Sequence, residues 1–409
     1  MRWLYTSGIF AYVFSIKLAA LFGNKKAKLW VRGRKGLFQE YTLLFENHPP
    51  STFIWFHVSS LGEFEQGRPV IEGLRTKFPN KKILLSFFSP SGYEIRKNYS
   101  GADYVMYLPF DCLRLMRKFV TVVNPAAVVF VKYDFWFNFI KACSEKNIPV
   151  YFISAAFRHN QYFFKPWGKW FLKHLKMVNM FFVQTHESEI LLQKHGISQV
   201  QFAGDTRLDR VIEMKNENKT FTEIEKFINN RQTIVAGSTW PADENIIMPW
   251  MKENKDIVLI IAPHDISEHR LKSIEQLFDE PVSRHSQLKG SEIGRILLID
   301  SIGILSHIYK YSQFAIIGNG FGRGIHNILE AIVFGKPVLF GPNFKKFTEA
   351  VVLSESGGAF PFRNTEEFSQ TAKQLLSNEE ALYQASESCL QFVEKNRGAT
   401  QMILDNLHL

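Results

Sequence analysis

The chain has 409 residues, 46% of them hydrophobic and 22% charged, which is enough for two or three ordinary globular domains. Its three cysteines, Cys112, Cys143 and Cys389, stand far apart without a CxxC pair; this argues against a disulfide scaffold or a structural zinc site and fits a reducing compartment. The net charge of +10 does not read as a nucleic-acid footprint, because it is concentrated at one end: Arg2, Lys17, Lys25, Lys26, Lys28, Arg32, Arg34 and Lys35 face only Glu40 in residues 1–40.

Trp3 to Phe22 is apolar and aromatic, interrupted by Thr6, Ser7, Ser15 and Lys17. Its length is about the roughly 20 residues that a spanning helix needs, and Lys17 can snorkel. A cleaved signal peptide is disfavoured, since only Arg2 precedes the run and no A-x-A site comes after it. The basic cluster Lys25–Lys35 places the rest of the chain in the cytoplasm by the positive-inside rule. Against anionic lipid it contributes roughly 1 kcal/mol per basic residue. The polar residues do not share one helical face, so a spanning helix, an interfacial helix and a buried N-terminal helix all remain open.

From Ser51 the pattern is α/β. Strand-like runs are Phe53–His57, Ile83–Phe88, Val105–Leu108, Ala127–Val131, Val150–Ser154, Met180–Val183 and Val200–Ala203, with helical stretches such as Glu63–Phe78, Asp134–Glu145 and Glu187–His195 between them. The polar stretch Arg207–Lys226 reads as a connection. A second series comes next: Thr233–Ala236, Ile257–Ala262, Arg295–Ile299, Phe314–Ile317 and Val338–Phe340, closed by helices over Thr365–Leu376 and Glu379–Lys395. Such alternation predicts parallel sheets covered on both faces. The division read from it is an apolar anchor and basic collar at 1–35, a Rossmann-like domain at 36–206, a linker at 207–226 and a second Rossmann-like domain at 227–409. Ligands in such sheets sit beyond the carboxyl ends of the strands.

Several motifs fall at those ends. Glu63 lies after the first strand and opens a helix, where the dipole favours a carboxylate; it is either a helix cap or a general base for a hydroxyl nucleophile. Ser89-Pro90-Ser91-Gly92 lies after the second strand, and its hydroxyls either cap a helix or line a pocket. Arg158 offers a guanidinium suited to phosphate. In the second half, Ala236-Gly237-Ser238-Thr239 can bind phosphate or a carboxylate through amides and hydroxyls. Gly318, Gly320, Gly322 and Gly324 precede a helix read over His326–Phe334 and stopped by Gly335 and Pro337. That helix N-terminus suits an anion, while Glu330 can accept from vicinal ribose hydroxyls. No Asp-x-Asp motif and no convincing metal-ligand spacing is present.

His326-Asn327-Ile328-Leu329-Glu330 resembles the H-N-x-L-E of the Kdo (3-deoxy-D-manno-octulosonic acid) transferases of lipopolysaccharide synthesis, which are GT-B glycosyltransferases. His57, Ser60, Gly62 and Glu63 match that family's H-x-x-S-x-G-E, and Tyr107–Asp111 its Y-L-P-x-D. Ala236–Thr239 matches A-G-S-T, and Asp300–Leu305 is similar to D-T-M-G-E-L. Two departures stand out: Lys132 replaces the first acid of E-T-E-L-W, leaving Asp134 as the second, and His264 replaces the arginine of A-P-R. The resemblance implies a GT-B fold, two Rossmann-like doubly wound domains facing a cleft, and metal-independent, inverting transfer of Kdo from CMP-Kdo to the lipid A precursor (lipid IVA) at the inner membrane, on its cytoplasmic side. Glu63 would be the base; His57, Ser60, Ser91 and Arg158 would bind acceptor. Gly237, Ser238, Thr239, Pro263, His264, Ile302, Gly303, Ile304, Asn327, Ile328, Leu329 and Glu330 would bind CMP-Kdo. The implied partners are donor, acceptor and inner-membrane lipids, with no nucleic acid and no cofactor. The alternatives are another GT-B nucleotide-sugar transferase or epimerase, and an inactive membrane-tethered nucleotide-binding module.

Overall fold

The structure is a computed structural model, and it describes residues 1–288 and 294–408. It divides into two compact units, Met1–Asp209 with Arg397–Leu409, and Arg210–Asn396.

The first unit is built on seven strands: β1 (Phe53–Val58), β2 (Lys82–Phe87), β3 (Tyr104–Tyr107), β4 (Ala127–Val131), β5 (Val150–Ala155), β6 (Met180–Val183) and β7 (Val200–Phe202). They pair in parallel in the order β3-β2-β1-β4-β5-β6-β7. Every residue of β1 and β4 is buried, as continuous apolar runs require of central parallel strands. Side chains alternate between faces: Phe53 and Trp55 join the layer containing Tyr41, Phe45 and Phe119, whereas Ile54, Phe56 and Val58 join the layer containing Phe64 and Leu74.

Before β1 come three helices, α1 (Arg2–Leu21), α2 (Lys25–Arg32) and α3 (Leu37–Phe45). Among the described residues only α1 is long and apolar enough to cross a membrane. Only Val13 of α1 is buried, while Trp3, Leu4, Phe14, Leu21 and Phe22 are exposed. It is nonetheless tied to its own unit. The Tyr5 hydroxyl donates to Asp111 Oδ2 at 2.6 Å, and the Tyr5 ring packs edge-on to Phe137 at 5.4 Å. Arg34 departs from the basic collar expected of it. Its guanidinium turns inward over Trp30, 4.0 Å from the ring centroid, and donates to the Leu108 and Phe88 carbonyls at 2.9 Å each. Burial lowers its pKa to about 9.

The second unit repeats the plan with β8 (Thr233–Thr239), β9 (Val258–Pro263), β10 (Val282–Arg284), β11 (Ile296–Leu298), β12 (Phe314–Ile317), β13 (Val338–Phe340) and β14 (Ala359–Pro361), in the order β10-β11-β9-β8-β12-β13-β14. The edge strands β10 and β14 were not legible as strands: each is three residues long and is not fully buried. The expected linker is largely helical, over Thr206–Asn216 and Thr222–Ile228. The chain end, read as part of the second domain, packs on the first unit instead. Helix Ala399–Asn406 places Ile403 and Leu404 in the layer with Phe64 and Leu74, and the Leu404 carbonyl accepts from Lys77 Nζ at 2.7 Å.

In both sheets the strand order reverses beside the first strand, between β1 and β4 and between β8 and β12. A doubly wound sheet opens its crevice at that point, and Glu63, after β1, and the segments 237–239 and 318–330, at the ends of β8 and β12, fall there.

Candidate active site

In the first unit β1 delivers His57 and β4 delivers Asp134 to the switch point. His57 is fully buried. Ser86 Oγ accepts from Trp55 Nε1 at 2.8 Å and donates to the Phe56 carbonyl at 3.2 Å, so at 3.0 Å it serves His57 Nδ1 as an acceptor. His57 is therefore protonated on Nδ1. Burial lowers its pKa to about 3, so it is neutral, and its bare Nε2 lies 3.7 Å from Asp134 Oδ2. This histidine supports the site from beneath.

Glu63 is the third residue of α4 (Leu61–Lys77), whose N-cap is Ser60. A capping box forms: the Ser59 and Ser60 amides donate to Glu63 Oε2 at 2.7 and 2.8 Å. Oε1 accepts no hydrogen bond among the described residues. The helix start was expected to favour the ionised form, but burial outweighs it. Desolvation raises the Glu63 pKa against the pull of the two amides and the charge of Lys132. Asp134 is pushed well above the usual carboxylate range, by burial first and by Glu63 second. It lies in hydrogen-bond contact with the Ser59 hydroxyl. Two carboxyl groups sharing one buried site cannot both ionise cheaply, and Glu63, with two amides and Lys132 beside it, is the one that does.

Around this pair the strand ends carry cations. Lys132 holds a left-handed backbone, φ 68°, directly after β4. Arg158 and Arg207 both stabilise ionised Tyr133, whose own pKa is raised by burial and then by Glu63. Arg207 Nη2 pairs with Asp205 Oδ2 at 2.6 Å, which pulls Asp205 below its usual range although burial opposes this. Arg207 was read as the start of the linker and Asp205 was not singled out; Gly204, just beyond β7, was the available signal. Ser91 is exposed at the start of α5 (Pro90–Arg96), its hydroxyl 2.8 Å from that of Ser89.

In the second unit one carboxylate holds both loops of the switch point. Asp243 Oδ2 accepts from the Trp240 amide at 2.9 Å and the Asn319 amide at 2.8 Å. The loops touch at Gly318, where a Cβ would lie 2.1 Å from the Ser238 carbonyl oxygen. Thr239 donates to Glu244 Oε1 at 2.8 Å, and Glu244 pairs with Arg270. Gly237 and Ser238 lie in the last stretch of chain before β8 ends at Thr239, Ser238 with a left-handed φ of 53°. Pro263 ends β9, and the His264 amide donates to the Thr239 carbonyl at 3.1 Å. Gly303, φ 98°, lies between the exposed Ile302 and Ile304 in the loop after β11.

The helix expected over His326–Phe334 is a single turn, Leu329–Ile332. His326 and Asn327 approach it in irregular backbone, so a long helix dipole aimed at an anion is absent there. Instead Asn327 organises the turn: its Nδ2 donates to Glu330 Oε1 at 3.0 Å and its Oδ1 accepts from the Leu329 amide at 3.3 Å. Ile328 and Leu329 are buried, their side chains given to the core. Among the described residues no group of three or more His, Cys, Asp or Glu is arranged to hold a metal.

Two parallel doubly wound units, each with polar loops at its switch point, define the class: the fold is that of the GT-B glycosyltransferases. The same architecture occurs in the UDP-GlcNAc 2-epimerase of Neisseria meningitidis, with a TM-score of 0.62 at 17% identity over 86% of this chain and 98% of that one. Residues 31–210 match the family described as 3-deoxy-D-manno-octulosonic-acid transferase (kdotransferase). The 3-deoxy-D-manno-octulosonic acid transferase of Rickettsia typhi is 27% identical over 405 residues, covering 94% of this chain and 84% of that protein. A bifunctional glycosyltransferase/methyltransferase of Fusobacterium nucleatum is 28% identical over 396 residues and 92% of this chain, which spans 59% of that longer protein. The chain is thus similar to the Kdo transferases, through the family match over residues 31–210 and through a Kdo transferase 27% identical over most of its length.

Proposed function

We propose that the protein transfers Kdo from CMP-Kdo to a hydroxyl of the lipid A precursor, with inversion at the anomeric carbon. The observation that carries this reading is the divided carboxylate of Glu63 at the switch point, with Oε2 consumed by the capping box and Oε1 without a hydrogen bond among the described residues. In the reaction the acceptor hydroxyl gives its proton to Oε1, its oxygen bonds to the anomeric carbon, and the C–O bond to CMP breaks with the electron pair passing to the phosphate. A raised pKa suits Glu63 to this task, because a base works best when its pKa approaches the working pH. Asp134, holding its proton, keeps a second negative charge away from the developing nucleophile. Arg158 and Ser91 bind acceptor phosphate, and Arg207 adds positive potential beside them. The second unit holds CMP through the loops Gly237–Thr239, Pro263–His264, Ile302–Ile304 and Asn327–Glu330.

A lipid acceptor is supported by the first unit's outer wall. A groove of about 360 Å³ runs between α1 and α2 and the segment Phe88–Pro90, lined by Tyr12, Ile16, Ala19 and Trp30. The outward residues of α1 and the lysines of α2 suit an anionic bilayer surface. Because Tyr5 and Val13 fasten α1 to its unit, the helix lies in the membrane interface on the cytoplasmic side of the inner membrane, as an attached face of the enzyme. The test is ligand-dependent melting. CMP, present at about 100 times its Kd, should stabilise the protein by about 2.7 kcal/mol, with UDP giving a smaller shift. Equal or larger stabilisation by UDP would overturn the donor assignment in favour of a UDP-sugar enzyme.

A further inference from the structure

Three rings meet at the switch point of the second unit. Trp240 and His264 stack with centroids 5.0 Å apart at 23°, and His264 and His326 with centroids 4.7 Å apart at 24°. Trp240 Nε1 is also 3.2 Å from His326 Nε2. A simple pile with His264 in the middle would hold the outer rings too far apart for that bond. Trp240 and His326 therefore sit side by side, joined edge to edge, and His264 lies across the faces of both.

The bond has a chemical consequence. Indole N–H is a donor only, so His326 Nε2 must accept, and a neutral imidazole that accepts at Nε2 carries its proton on Nδ1. Burial, and then the neighbouring His264, lower the His326 pKa to about 4, so the neutral ring is the working form. Nδ1 makes no hydrogen bond among the described residues. His326 directly precedes Asn327, which organises the Glu330 turn, and its own amide donates to the Gly318 carbonyl at 3.2 Å.

We propose that Trp240 is a positioning residue that locks His326 in its Nδ1–H tautomer, so that His326 donates a neutral hydrogen bond to the phosphate of the nucleotide donor. This rests on the donor site proposed above. The arrangement differs in kind from a fixed cation: a neutral donor orients an anion without adding charge to the loop. Trp240 contributes through the ring it holds, with His264 as the lid that keeps both rings in register.

Long-range ¹H–¹⁵N correlation on histidine-labelled full-length protein at pH 7, without nucleotide, reads the tautomer directly. His326, assigned by its loss in His326→Gln, should show protonated Nδ1 and bare Nε2. Trp240→Phe keeps a ring against His264 and removes the N–H; it should release the tautomer toward Nε2–H and weaken CMP binding roughly three- to tenfold, the worth of one neutral hydrogen bond. A second pair of variants separates donation from mere anchoring. The amide nitrogen of His326→Asn sits near the Nδ1 position, whereas the amide of His326→Gln reaches the Nε2 position beside Trp240. Asn should therefore retain CMP affinity better than Gln. An Nε2–H tautomer in the wild type, an unchanged tautomer and affinity in Trp240→Phe, or Gln outperforming Asn would each overturn the proposal. Wild-type protein with the Nδ1–H tautomer but no CMP binding would overturn the donor-site reading and the ligand assigned here with it.

Discussion

Glu63 closes the capping box of α4 with Oε2 and leaves Oε1, the atom proposed to take the acceptor's proton, without a hydrogen bond among the described residues. Glu63→Gln preserves the shape and part of the cap but cannot take a proton. Turnover should fall by roughly 10²–10⁴, the usual worth of general-base catalysis, while calorimetry finds CMP affinity unchanged. Asp134 makes a separate prediction about stability and pH. Its folded-state pKa is raised by burial and by Glu63, so the folded state binds the extra proton. Its contribution is then fully present below the unfolded carboxylate pKa and is lost as pH rises through the raised value. Asp134→Asn, which mimics the protonated form, should melt nearly as the wild type does in acid and above it at alkaline pH. A parallel decline of both proteins with pH would contradict the assignment. Glu63 was legible because a strand end followed by a helix start is local in sequence, and Ser60 through the family motif it shares with Glu63. Arg158 was singled out by its chemistry, but its grouping with Lys132 and Arg207 was not legible, because the three follow β4, β5 and β7, which only the sheet order brings together.

At the scale of elements, central strands were legible because burial on both faces demands uninterrupted apolar runs, as in β1, β4 and β12. Edge strands need no such run, which is why β10 and β14 escaped. The over-read helix at His326 shows the opposite failure. Helical spacing continues through His326–Ile328, but hydrogen bonds to Gly318 and the Asn327 side chain replace the first helical turn. Two substitutions test how elements fix the sites. Gly318→Ala forces a Cβ against the Ser238 carbonyl. It should cost about 1–3 kcal/mol, the range for overpacking, and lower CMP affinity by spreading the two loops; an unchanged melting temperature would show that the loops give way freely. Tyr5→Phe removes the hydroxyl that α1 donates to buried Asp111. That carboxyl, raised to about 6 by burial, also accepts from the Asn138 and Phe139 amides. Loss of a hydrogen bond to a charged group should cost about 1.5–3 kcal/mol. The loss should be largest above pH 6, where Asp111 is ionised in the wild type. Equal urea midpoints at pH 8 would mean that α1 is only a tether.

For the whole molecule, the two-domain plan was legible from two successive strand–helix series, whereas the return of the chain end was not. Helix Ala399–Asn406 is held in the first unit by contacts with residues far away in sequence. The Gly398 and Thr400 amides donate to Asp209 at 2.7 and 2.6 Å, and the His408 carbonyl accepts from Tyr151. Neither composition nor spacing encodes such pairings. The chain thus leaves the first unit at Asp209 and re-enters it at Arg397, so both connections between units lie side by side in the fold of the first. The most direct test of the central claim is product analysis. Purified full-length protein in detergent micelles is given CMP-Kdo and tetraacylated lipid A precursor, and the lipid is weighed by mass spectrometry while released CMP is measured. The lipid should gain whole Kdo units, one CMP appearing for each. Folded protein that binds CMP yet leaves the lipid mass unchanged, or that transfers sugar only from a UDP donor, would contradict the assignment.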